Sequence, residues 1–258
     1  MHILLTNDDG VFAPGLLALA QSLREIGKVS VVAPDRNWSA SGHVKTMHRP
    51  LRVMETTLQD GTPVLSTDGA PSDCVSLALL GLIEEDIDLV VSGINPLANV
   101  GHDVTYSGTV TAAMEAAICG VPGFACSIDP PQGYKGELDY STAASLASTI
   151  IPQIMHEMNS MKSVFNMNFP AAPSEEIKGI AITRLGLRVY RDALIERKDP
   201  RGRSYYWIGG EAPTGVADPG TDIWALANHY VSITPLSLDL TDKNILPTME
   251  AWELKLKR

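Results

Sequence analysis

Along the first two thirds of the chain, short unbroken apolar runs alternate with longer stretches whose apolar residues recur every three or four positions. Runs at 2–6, 28–33, 123–128 and 164–168, with Asp88-Leu89-Val90-Val91 among them, have the length of strands buried on both faces. The periodic stretches at 14–26, 71–83, 108–119 and 140–158 read as helices. Leu16, Leu17, Leu19, Ala20 and Leu23 share one face of the first, and Ala144, Leu146, Ala147 and Ile150 lie in the last. Strand, helix and strand make a βαβ unit with a right-handed crossover. Repetition of that unit predicts an α/β fold class, a Rossmann-like three-layer fold with a mostly parallel sheet covered on both sides. Weaker strands at 51–56 and 63–67 precede the second helix.

The pattern changes after about residue 178. Segments 189–197 and 203–208 read as the arms of a long hairpin turned by Asp199-Pro200-Arg201-Gly202, with Tyr205, Tyr206 and Trp207 on the second arm. A lone hairpin is marginal in water and needs another surface, either the chain's own core or a second subunit; its aromatic content favours the contact between subunits, and the pattern alone is also met by packing within the chain. A strand at 230–235 and a terminal helix at 247–257 follow. The expected organisation is one domain, an α/β core over 1–185 and a segment over 186–258 made of the hairpin, the last core strand and the terminal helix.

With 258 residues, 45% hydrophobic and 19% charged, the chain is long enough to bury a full core and does not have the composition of a disordered one. Its formal net charge of −10 leaves no electrostatic footprint for nucleic acid or acidic membranes. An anionic ligand would therefore need local neutralisation, which a divalent cation supplies. Cys74, Cys119 and Cys126 lie in apolar contexts without zinc or redox spacing and are expected to be buried thiols. No apolar segment of 18 residues occurs and the amino terminus enters a strand at once, so a cytoplasmic protein is expected.

The need for a cation bears on the end of the first strand, where Ile3-Leu4-Leu5 gives way to Asn7-Asp8-Asp9-Gly10. In an open α/β sheet that position faces the crevice where ligands bind. Paired carboxylates there suit Mg²⁺, Mn²⁺ or Ca²⁺, although the same residues also favour a plain turn. Three polar loops follow strand-like segments and emerge on the same edge of a parallel sheet. They are Pro34 to His43, Ser92-Gly93-Ile94-Asn95 continuing through Asn99, Gly101 and Asp103, and Tyr106-Ser107-Gly108-Thr109 leading into a helix. Unpaired N–H groups at that helix start, with the Ser107 and Thr109 hydroxyls, suit a phosphate. Neither Gly-x-x-x-x-Gly-Lys-Ser/Thr nor Gly-x-Gly-x-x-Gly after a strand is present. A haloacid-dehalogenase register would put Asn7 at the nucleophile position, where an amide cannot serve.

Six blocks in order resemble the SurE stationary-phase survival nucleotidases: Asn7 to Gly10; Pro34-Asp35-Arg36 with Ser39; Gly69 to Val75; Ser92 to Asn95; Tyr106 to Val110; and Tyr230 to Leu236. The resemblance implies a divalent-metal-dependent phosphatase, of the 5′-nucleotidase type, acting on nucleoside 5′- and 3′-monophosphates and in some members on short polyphosphate. It places the metal ligands on Asp8, Asp9, Ser39 and Asn95, with one Mg²⁺ or Mn²⁺ per subunit expected. It also implies homodimers or homotetramers that exchange carboxyl-terminal segments. The chain departs from the family pattern at Ala40, at Pro96-Leu97 beside Asn95, and at Asn228-His229, where a Gly often precedes the Tyr.

On this reading the metal polarises a phosphoryl oxygen and activates a water for in-line attack, with Asp8 or Asp9 as the catalytic carboxylate that takes the proton as a base or attacks directly. Ser41, Gly42, His43, Asn95, Ser107, Gly108 and Thr109 are the expected phosphate and substrate contacts. His43 could alternatively be structural, Arg36 is expected to brace its loop through Asp35, and Glu115 to be a structural acid. Two rivals predict differently. A glycosyltransferase-like protein would use metal and nucleotide without releasing phosphate from a simple monoester, and a noncatalytic nucleotide-binding or interaction module would bind without turnover.

Overall fold

Nine strands form one sheet in the order β3 (Val53–Thr57), β4 (Pro63–Thr67), β2 (Lys28–Pro34), β1 (His2–Thr6), β5 (Leu89–Asn95), β6 (Gly123–Asp129), β7 (Val164–Pro170), β11 (Tyr230–Leu236) and β8 (Gly179–Ile182). The structure is a computed structural model and describes residues 1–158 and 163–256. Pairing is parallel from β4 through β7. It is antiparallel between β3 and β4 and between β7 and β11, and parallel again between β11 and β8. The sheet is thus mostly parallel, as the alternation of strand and helix predicts.

Burial on both faces explains the unbroken apolar runs. On β1, Ile3 and Leu5 enter the cluster beneath α1 (Pro14–Leu23) and α4 (Ser141–Glu157), while Leu4 faces α2 (Pro71–Leu77) and α3 (Gly108–Ile118) with Val32, Val75, Val90 and Ala112. Leu16, Leu19, Ala20 and Leu23 are buried on α1 and Leu17 partly so. Each fully buried leucine contributes roughly 1.5–3 kcal/mol relative to exposure. Prolines at the first turns of α1 and α2 lose no intrahelical bond there. The second predicted helix continues as a π-helical turn, Ala78–Leu82, and ends around Gly81, whose φ of 113° suits glycine.

β9 (Leu187–Lys198) and β10 (Ser204–Val216) form the hairpin, with arms longer than the predicted ones. α5 (Asp222–Ala227) and β8 are elements the periodicity does not reveal, being six and four residues long. Two expectations are corrected. The terminal helix over 247–257 is only α6 (Leu246–Glu250), because the exposed residues beyond it have no core to pack against and so short a helix does not propagate alone; its last predicted residue lies outside the described residues. Cys119 is exposed at the outer end of α3, whereas Cys74 and Cys126 are buried thiols.

Candidate active site at the strand ends

β1 delivers the acid pair to the carboxyl edge of the sheet. The Asn7 amide donates to the Gly10 carbonyl at 2.9 Å and closes the turn, and Gly10 holds a φ of 103° against the Arg36 backbone, 3.2 Å from where a Cβ would stand. Asp8 is only 3% exposed. The loop after β2 crosses over it: Trp38 N–H donates to the Asp8 carbonyl at 2.7 Å, and Asn37 links Asp9 (3.4 Å, from its amide) to the backbone N–H of Ser39 (2.7 Å). Arg36 braces this loop as expected, 3.5 Å from Asp35 and stacked 5.0 Å from the Trp38 ring centroid.

α3 begins against the same acid. Ser107 caps it by accepting from Val110 N–H at 3.1 Å, so its own hydroxyl proton stays available to a ligand. The Thr109 hydroxyl donates to Asp8 Oδ1 at 2.5 Å. A Cβ on Gly108 would lie 2.7 Å from the Asp8 Cβ, so only glycine lets the helix start come this close. On the other flank, Asn95 ends β5; its amide nitrogen donates to the Leu97 carbonyl at 2.5 Å, which closes the turn after the strand and leaves the amide oxygen free of that bond. Ser39 and Asn95 therefore stand on loops to either side of β1.

Further along the loop after β2, Ser41 N–H donates to the Trp38 carbonyl at 3.2 Å, and Gly42, with φ 63°, donates to the Tyr106 carbonyl at 2.9 Å. His43 is drawn to α3, its Nε2 2.9 Å from Glu115 Oε2. Glu115 is 2% exposed and also accepts from Lys45 Nζ at 2.7 Å and Ser76 Oγ at 2.6 Å. The His43 contact, with those of Lys45 and Ser76, holds its carboxyl down at about 2 despite burial.

Burial pushes the Asp8 carboxyl up, with the Thr109 bond opposing it, and burial with the neighbouring Asp8 charge pushes Asp9 up to about 7. Two desolvated acids side by side favour a cation between their oxygens. Asp9 Oδ2, Asn7 Oδ1, Ser41 Oγ and Ser92 Oγ are buried without a hydrogen-bond partner among the described residues, so oxygen donors are free in the segments at and after the ends of β1, β2 and β5. No cluster of three His, Cys, Asp or Glu side chains occurs among the described residues, so the donor set here is two carboxylates with neutral oxygens. That chemistry fits Mg²⁺ or Mn²⁺.

A family model described as "Survival protein SurE" matches residues 3–192. The chain belongs to the SurE family. Proteins named 5'-nucleotidase SurE are 53% identical over 94% of this chain and 94% of their own in Herpetosiphon aurantiacus, and 50% identical over 98% and 99% in Chloroflexus aggregans. The crystal structure of the SurE protein from Aquifex aeolicus superposes with a TM-score of 0.81 at 38% identity, covering 97% of this chain and 98% of that one. The SurE fold thus extends over the hairpin and the last strands as well as the core.

Several residues that hold the SurE site in place escape a motif reading. Asp73, inside the Gly69 to Val75 block, accepts from Thr46 N–H at 2.8 Å, the Thr46 hydroxyl at 2.6 Å and Ala70 N–H at 2.9 Å, and so pins the far end of the loop after β2 to α2. Asn166 and Asn168 on β7 both donate to the Asn99 carbonyl, at 2.7 and 3.2 Å, fixing the loop after Asn95. Their signal was two amides in an otherwise apolar central strand. Buried Asp222 accepts from Gly101 N–H at 2.8 Å and Gly186 N–H at 2.7 Å; nothing in the sequence marks it.

Proposed function

We propose that this chain is a divalent-metal-dependent phosphatase that hydrolyses nucleoside 5′- and 3′-monophosphates, with the cation held by Asp8, Asp9, Ser39 and Asn95. Nucleotide phosphatase activity of the 5′-nucleotidase kind rests on SurE membership and on relatives of that name matching end to end. The observation that carries the metal is a buried acid beside a partly buried one whose Oδ2 has no hydrogen-bond partner among the described residues. A bound divalent cation supplies Lewis-acid polarisation of the phosphoryl group and makes nearby water more acidic. Ser107 donates its free hydroxyl proton to the phosphate, and the N–H groups at the start of α3 add to it as charge grows in the transition state. Asp8 is committed to Thr109, so the proton of the attacking water passes to Asp9, whose Oδ2 has no donor among the described residues. Ser41 and Gly42 close over the phosphate, and His43, braced by Glu115, stands beside them. Short polyphosphate offers the same terminal phosphoryl group to the same donors.

The hairpin carries exposed apolar side chains on both faces: Leu194 opposite Ile208 and Ile195 opposite Trp207. These support a homodimer or homotetramer in which segment 186–258 is shared between subunits around the core over 1–185.

The deciding experiment is phosphate release from adenosine 5′- and 3′-monophosphates by chelator-stripped protein with Mg²⁺ or Mn²⁺ restored, beside folded Asp8→Asn. Release that needs the metal and is absent in the variant is expected. Binding without turnover under every metal would instead support the noncatalytic module.

A further inference from the structure

A largely apolar cleft with a few polar groups lies on the same sheet edge, at the ends of β6 and β7. It has a volume of about 670 Å³, within the usual range for small-molecule sites, and its lining includes Leu97, Asp129, Pro130, Tyr134, Arg188 and His229. Leu97 is the residue whose carbonyl fixes Asn95, so this cleft adjoins the metal loop. Asn95 pairs with Ser127 across β5 and β6, and Asp129 lies two residues further along. From strand spacing and rise, the Asn95 and Asp129 Cα atoms stand about 8 Å apart. That is the scale of a nucleotide measured from its phosphate to its sugar.

The walls suit a nucleoside. Asp129 is half-buried, and no donor among the described residues reaches its carboxylate, so burial raises its carboxyl to about 6. Arg188, the neighbouring cation, offsets part of that burial without a hydrogen bond to the carboxylate, and its Nε lies 2.9 Å from Asp103 Oδ2. Tyr134 is held by its hydroxyl donating to the Glu137 carbonyl at 3.0 Å. His229 occupies a left-handed backbone position, φ 62°, that glycine would take without the cost of roughly 1–2 kcal/mol borne by a side chain. Histidine is among the few side chains that tolerate this conformation, and here it places an imidazole on the wall of the cleft.

We propose that this cleft holds the nucleoside of the substrate, with Asp129 accepting from the ribose hydroxyls and His229 and Tyr134 walling the base. The inference rests on the nucleotidase reading and assigns the residues that tell a nucleotide from a bare phosphomonoester.

His229→Gly and Asp129→Asn test it, since the first relaxes the backbone and should melt no lower than the parent. The measurement is kcat/KM for adenosine 5′-monophosphate divided by kcat/KM for p-nitrophenyl phosphate. In Asp129→Asn that ratio should fall about tenfold, the size of one lost hydrogen bond to a charged acceptor, and by less for the 2′,3′-dideoxy nucleotide. In His229→Gly it should fall about threefold, as for a lost stacking face of modest strength. An unchanged ratio in both variants overturns the proposal. Calorimetric titration with adenosine separates this failure from failure of the nucleotidase reading: if the parent hydrolyses neither phosphomonoester, adenosine binding weakened by Asp129→Asn still supports the cleft, and no adenosine binding overturns it.

Discussion

Asp9 links the site to the stability of the whole fold. Its carboxyl, at 3.8 in an unperturbed setting, is raised to about 7 by burial and by Asp8. The folded chain therefore binds a proton that the unfolded chain has released between those values, and stability falls as pH rises from about 4 to about 7. At about 1.4 kcal/mol per pH unit the loss is at most a few kcal/mol, full above pH 7 and absent below 4. Denaturant titration of chelator-stripped protein should show the parent losing ground against Asp9→Asn across that window; parallel curves would refute the assignment. At this scale the sequence was legible where chemistry is local. Asp8 and Asp9 stand side by side in the chain, and Ser107 announces a helix start. Glu115 was legible as a structural acid though its partners were not, His43 lying 72 positions away; Asn37 and Asp222 were not legible, because their roles depend on partners 28 and 121 positions away.

Among the elements, α3 is the one on which the site depends most. Ala in place of Gly108 improves helix propensity by roughly 1 kcal/mol but puts a Cβ 2.7 Å from that of Asp8. At the first helical residue only part of that gain is realised and Asp8 is buried, so Gly108→Ala should lower the melting temperature modestly while lowering kcat/KM about 100-fold, as displacement of a reacting group by an ångström does. A loss of stability that accounts for the lost activity would contradict this. On the buried side of the same helix, Glu115→Gln keeps the shape and removes the charge that holds His43 and Lys45. Both partners are partly exposed, so the cost is about 1 kcal/mol at pH 7, and amide exchange over residues 43–46 should quicken while α4 stays protected. The strands and long helices were readable because burial on both faces leaves continuous apolar runs. α5, β8 and the short α6 were not, since six, four and five residues give periodicity too little length to register.

For the whole molecule, the exposed hairpin sets the terms. Leu194 is 74% and Ile208 84% exposed, opposite each other on one face of the ribbon. Light scattering should find more than one copy per particle, and Ile208→Glu should shift the population toward monomer; a monomeric parent would end the shared-segment reading. The hairpin is also fastened to the site at its root. Arg188 lies beside Asp103, Tyr190 donates to the same carboxylate at 2.5 Å, and Gly101 lies against Gly186 with no room for a side chain. The turn that receives these contacts, residues 101–105, runs directly into Tyr106, Ser107 and Gly108. If the proposed oligomer forms, whatever a neighbouring subunit does to the ribbon would be felt at the proposed phosphate site, and mass action would enter the kinetics. Turnover per chain would sag on dilution, and the enzyme would in effect count its own copies before working at full rate.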